Sequence, residues 1–184
     1  KELPVVDDEF AKDISEFDTL EEYKKDLRNK LEETAKHKAE HENEENVIRK
    51  VAENATVEIP KVMVEKQIDS MVRDFDMRLR YQGLDLQKYL EIMGMDYEGF
   101  RGQFAEGAEK EVKIQLVIEK IAQVENVQAS DEDLDEEVKR MADLYKQSAE
   151  ELMKSLSPEE KEYVKKDIAF RKTIKLLVQN AKLA

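Results

Sequence analysis

Residues 54–75, NATVEIPKVMVEKQIDSMVRDF, decide how the chain is read. Asn54 and Ala55 form a helix stop, Thr56-Val57-Glu58-Ile59 alternates as an extended piece should, and Pro60 suits the first turn of a following helix, where its missing N–H is no loss. Beyond it Val64, Ile68, Met71, Val72, Phe75 and Leu79 fall within about a quarter turn of one another and predict a packed stripe. Met63, Met77 and Tyr81 project from the far side, interleaved with Gln67, Ser70 and Asp74. The stretch therefore predicts a helix with a core face and a second apolar face that core packing does not explain.

Working outward, the chain stays helical in both directions. Its 184 residues include only five glycines and three prolines, too few for the tight turns of a sheet-rich fold. The predicted class is soluble and all-α. With 41% charged residues and a net charge of −13, the chain repels phosphate backbones and anionic lipid alike. The basic run of Lys165, Lys166, Arg171, Lys172 and Lys175 is diluted by Asp167 and reads as a solvated helix face, so neither nucleic acid nor a membrane is an expected partner. No apolar run approaches the roughly 20 residues of a membrane span, and no basic-then-apolar signal opens the chain. The absence of cysteine removes disulfides and thiol chemistry and fits a reducing compartment.

Upstream, residues 1–18 read as a linker that packs through Leu3, Phe10, Ile14 and Phe17, and Thr19-Leu20-Glu21-Glu22 has the form of a capping box. Leu20, Tyr23, Leu27 and Leu31 give the helix one apolar stripe. Residues 36–46, KHKAEHENEEN, then have no apolar side chain but Ala39, which predicts a solvated strut continuing to about Ala52. Downstream, Gly83 ends the helix, and LDLQKYLEIMGMDYEGF carries more apolar surface than a short helix can bury. This predicts a hairpin tip whose Tyr89, Met93, Met95 and Tyr97 seek a partner. The return helix, about Tyr97 to Val124, has Ile114, Val117, Ile118 and Ile121 on one side and Val112 and Leu116 on the other, so its latter half should be central.

Ser130-Asp131-Glu132-Asp133 caps a helix with the stripe Leu134, Val138, Met141 and Tyr145. A short helix from Ser148 and a last one capped by Ser157-Pro158-Glu159-Glu160 follow, the last with Tyr163, Phe170, Ile174, Leu177 and Ala181 on one face. The organisation expected is two helical hairpins on a shared body, about 60–124 as the first arm and about 130–184 as the second arm and body.

Catalytic constellations do not emerge. His37 and His41 share a helix face, but Lys38 stands where a zincin has Glu, no third ligand is identifiable, and neither histidine follows a Glu by three as a di-iron bundle requires. They read as part of a solvated face. No Gly-rich phosphate loop, Gly-x-Ser-x-Gly elbow or cysteine nucleophile is present, so no metal, cofactor or enzymatic role is expected of this chain.

The order KELPVVDDEFAKDISEFDTLEEYKKDLRNKLEE, then a charged helix, then VEIPKVMVEKQIDSMVRDF, resembles the C-terminal domain of bacterial trigger factor. The resemblance runs in register over the first half, with agreement in helix order over the second. It implies an elongated all-α body with two protruding helical arms, in a linker (1–18) plus chaperone domain (19–184) arrangement, that cradles nascent or unfolded polypeptide in the cytoplasm without ATP. It also implies a ribosome contact and a peptidyl-prolyl isomerase activity that belong to modules outside this chain. Gly99-Phe100-Arg101-Gly102-Gln103 shares part of the family's ribosome-docking signature, but Gln103 stands at its second glycine and Glu106 at its proline. On this reading Met63, Met77, Tyr81, Tyr89, Met93, Met95 and Tyr97 contact clients, and self-association through the apolar arms is a further option. Two other readings stay open: a helical scaffold that buries the same stripes in one defined partner, and a periplasmic chaperone of the SurA type with a related fold.

Overall fold

The computed structural model describes residues 5–182, so Leu3 of the expected linker lies outside the described residues. The chain divides into two compact units at Asn46 and Val47.

The first unit opens with α1, Asp8–Ile14, in the stretch read from sequence as a packing linker. Its apolar positions are too few to show periodicity, and the helix is fixed at its ends instead. The Asp7 carboxylate accepts the Phe10 N–H at 3.0 Å, and the Ser15 hydroxyl donates to the Ala11 carbonyl at 2.6 Å. Helix α2, Leu20–Asn54, begins in this unit. Its start is capped from two directions. The Thr19 hydroxyl oxygen accepts the Glu22 N–H at 3.2 Å, as the capping-box spacing predicts, but the Leu20 N–H is taken at 2.8 Å by Asp8 of α1. Through its middle α2 is exposed and laddered by i,i+4 pairs such as Lys36 with Glu40 and Lys38 with Glu42, each worth little in water.

The second unit starts with the last turns of α2, where Ala52 is buried. Residues 55–60 follow without helix, and Pro60 is the N-cap of α3, Lys61–Tyr81, one position earlier than the first-turn placement expected. Val51, residues 54–58, Leu116, Val117 and Ile121 line one cleft, so the VEIP stretch runs beside the return helix. Helix α4 is Leu86–Met93. The return is not one helix but two: α5, Tyr97–Gly102, and α6, Ala105–Val124. Between them the Gln103 and Phe104 N–H groups bond three residues back, to Phe100 and Arg101, a tightened turn at a glycine that carries both Phe100 and Phe104 into the same cluster. The core of this hairpin is Ile68, Val72, Phe100 and Ala108, with Val64, Met71 and Phe75 packed against it, so the stripe from the opening stretch is the buried face.

Helix α6 packs on α3 on one side and on the last helix on the other, which is the central position its apolar surround predicts. The remaining helices are α7, Asp131–Tyr145, α8, Ala149–Ser155, and α9, Pro158–Asn180. Both serine capping boxes, at Ser130 and Ser157, form with their reciprocal bonds. Two stripes shift from expectation. Helix α7 buries Leu134, Val138 and Ala142 while Tyr145, its last residue, is exposed; α9 buries Ile168 and Thr173 while Tyr163 is exposed. Between the two helices Lys165, Lys172 and Arg171 of α9 reach Asp131, Asp133 and Glu137 of α7.

Candidate functional site

The candidate site lies on the α3–α6 hairpin and is built on a knot of rings. Phase and spacing along α3 aim Phe75 inward, where its ring centroid lies 5.1 Å from Tyr89, 5.1 Å from Phe100 and 6.2 Å from Phe104. These edge and tilted contacts suit the ring quadrupoles, and Phe75, Phe100 and Phe104 form the platform on which Tyr89 lies. Arg101 fastens it from the side. Its guanidinium donates to Asp69 and, at 2.8 Å, to Glu65, and it lies 5.8 Å from the Tyr97 ring centre. The Asp69, Tyr97 and Glu65 partners hold it firmly charged. Phe100 and Arg101 thus have a structural use inside the hairpin, which accounts for the partial docking signature.

The seven sequence-expected contact residues separate into two groups on this platform. Met77, Tyr81, Met93 and Tyr97 are exposed, Tyr81 to 85%. Met63 is half-buried at the first turn of α3. Tyr89 and Met95 are half-buried and packed against the core cluster, and the Met95 sulfur accepts from Gln103 Nε2 at 3.3 Å. Sequence reasoning put these two on the surface because a short helix buries only one face, and it did not show which face. The hairpin also exposes three large apolar residues outside that set, Val62 on α3, Ile92 on α4 and Val124 on α6, with Ile92 exposed to 74%. Ile92 follows the inward trio Leu86, Tyr89 and Leu90, a phase that places it outside.

Along the tip runs an open groove of about 870 Å³. Leu86, Leu90, Met95 and Tyr97 give it an apolar lining, and Asp76, Arg80, Asp85 and Glu91 a charged rim. Asp76 pairs with Arg80 at 2.9 Å, so the rim keeps an excess of negative charge. The arrangement offers flexible thioethers and an amphipathic phenol over packed rings. That combination adapts to apolar segments of different shape. No group of three or more His, Cys, Asp or Glu side chains able to hold a metal ion occurs among the described residues. His37 and His41 face different carboxylates, Glu40 at 3.6 Å and Glu45 at 3.3 Å. No described helix is long and apolar enough to cross a membrane.

Comparison with known proteins adds the family. Residues 19–179 match the family described as bacterial trigger factor protein C-terminus. The trigger factor of Ruminiclostridium cellulolyticum is 74% identical over 183 residues, and that of Acetivibrio thermocellus 56% identical over 183 residues. Each alignment takes in the whole of this chain and 43% of the relative, so the chain spans less than half the length of the curated relatives it matches. Among solved structures, domains of trigger factor from Thermotoga maritima superpose with a TM-score of 0.57 at 23% identity, over 77% of this chain and 83% of that one. A second, from work on promiscuous substrate recognition in the folding and assembly activities of the trigger factor chaperone, superposes with a TM-score of 0.57 at 26% identity, over 99% of this chain and 44% of that one. The sequence order first noted around residues 54–75, the all-helical fold and these matches agree: the chain belongs to the family of bacterial trigger factor C-termini.

Proposed function

We propose that this chain is an ATP-independent chaperone domain that holds unfolded or nascent polypeptide on the exposed Met and Tyr surface of the α3–α6 hairpin. The observation that carries the reading is the exposure of Met77, Tyr81, Ile92, Met93 and Tyr97 on the helices of one hairpin, α3 to α5, in a chain of this family. A surface helix ordinarily keeps its apolar residues on the packed face. Here the second face is apolar as well, and it is built from adaptable side chains. Each contact is weak, and several along one hairpin add through multivalency. The charge of −13 keeps such a surface in solution.

The full-length parent, on this reading, works in the cytoplasm beside the ribosome. Its ribosome contact and its peptidyl-prolyl isomerase activity reside in modules beyond this chain, and this chain has no isomerase activity of its own. The domain arrangement we adopt is a segment 1–18 that joins a helical chaperone domain from 19 onward, with self-association through the same apolar surface when no client is bound. The test is dilution of a chemically denatured client into buffer containing the chain, with scattering as the readout. Suppression of aggregation near stoichiometric amounts, equal with and without ATP, is the expected result. No suppression at a several-fold excess would overturn the proposal.

A further inference from the structure

Two left-handed glycines bracket the eight-residue α4. Gly83 has φ +77° and Gly94 φ +64°, a region that side-chain-bearing residues enter only at a cost. Nothing lies within 4 Å of a Cβ added at either, so glycine meets a backbone need there and not a packing one. The helix between them is lightly held. None of its residues is buried, and it packs chiefly on α3. Leu86, Tyr89 and Leu90, at i, i+3 and i+4, sit on the cluster that includes Phe75, Phe100 and Phe104. A single polar tether joins its first turn to α3, the Leu86 N–H donated to Asp76 Oδ1 at 3.1 Å. The open groove running along the same helix leaves its flank free to move.

We propose that α4 is a displaceable lid: it occupies, through Leu86, Tyr89 and Leu90, a phenylalanine site that receives an apolar segment of an unfolded polypeptide when α4 swings away on Gly83 and Gly94. The inference rests on the holding function proposed above and adds its regulation. The resident segment shows what the site accepts, an aromatic residue flanked by leucines at helical spacing. With the lid closed, the rings are shielded from water and from other copies of the chain. With it open, an incoming segment of like chemistry replaces the contacts that α4 gives up. The apparent affinity for such a segment is then the intrinsic one reduced by the open fraction.

Two measurements on the same proteins test this: hydrogen exchange of the α4 amides, and anisotropy of a fluorescein-labelled peptide of residues 84–94, LDLQKYLEIMG. They are made on the parent, on Gly94→Ala and on Asp76→Ala. The α4 amides are expected to exchange faster than those of α3 and α6 in the parent. Gly94 is also the C-cap of α4, so Gly94→Ala strains the closed arrangement, and as opening changes the backbone angles there it raises opening roughly five- to thirtyfold. Asp76→Ala, which cuts the tether without touching the glycines, raises it as well, and in both variants the peptide affinity rises by the factor by which opening does. The lid is overturned if α4 exchanges as slowly as α3 and α6, or if opening rises and affinity does not follow. Aggregation suppression on the same samples separates the two readings. Suppression with an immobile α4 removes the lid and keeps the holding function; affinity that tracks opening without suppression keeps the lid and removes the holding function.

Discussion

At residue scale, neighbours four positions or fewer apart on α3 have opposite roles. Phe75 meets three rings and Leu79 is buried, whereas Met77 and Tyr81 are in solvent. Truncating Phe75 to Ala removes the centre of the ring platform, and we predict a loss of roughly 3 to 5 kcal/mol, read by chemical denaturation followed by helical circular dichroism. Leu79→Ala is predicted to cost roughly 2 to 5 kcal/mol in the same experiment. The double change Met77→Ser, Tyr81→Ser touches no core position and should move stability by no more than about 0.5 kcal/mol. A large loss in the double variant would place these side chains against protein. Helical phase made this division legible in the sequence, because α3 is long enough for its two faces to declare themselves. It did not show how far Tyr89 and Met95 turn toward the core. In an eight-residue helix and the turn after it, apolar residues on all sides leave the phase undetermined, and only the position of Phe75 and Phe100 settles which of them turn inward.

At element scale, α7 and α9 are joined by ion pairs as well as by apolar packing. Asp133 is held down to about 2 from its ordinary value near 3.8, first by the Lys172 ammonium and then by the backbone and side-chain donors of Ser130. Glu137 is lowered as well, by Arg140 and then Arg171. A carboxylate whose value is depressed on folding contributes stability that is fully present above its unfolded value and is lost as pH falls through the folded one. For Asp133 that window runs from about pH 4 down to about pH 2. We predict that Asp133→Asn flattens the acid limb of the stability curve in this window, seen as a smaller change of denaturation midpoint between pH 4 and pH 2 than in the parent, and an unchanged slope would contradict the pairing. The capping boxes at Ser130 and Ser157 were legible because a cap is local, readable within four residues. The helix α1, the Asp8 bond to the Leu20 N–H and the break between α5 and α6 were not. The Asp8 bond spans twelve residues and the break follows from two phenylalanines entering one cluster, while α1, capped within four residues at Asp7 and Ser15, is too short to show an apolar stripe. Tyr145 and Tyr163 fit an apolar stripe by phase yet stand in solvent, the first at the end of α7 and the second near the start of α9.

At the scale of the whole molecule, fold class and family were legible from an ordered set of stops, caps and stripes, beginning with the extended VEIP and its proline. What the sequence could not apportion was apolar surface between core and client. Membership in the trigger factor C-terminus family and the exposed Met and Tyr face of the hairpin together support a holding function, and its central claim is that this face does the holding. The direct measurement compares parent and the Met77→Ser, Tyr81→Ser variant in suppressing aggregation of one chemically denatured client over a range of chaperone concentrations. If this face holds clients, the variant keeps the parent's melting transition yet needs a several-fold higher concentration for half-suppression, the loss being partial because Ile92, Met93 and Tyr97 remain. An equally stable variant that suppresses aggregation at the parent's concentration would contradict that claim.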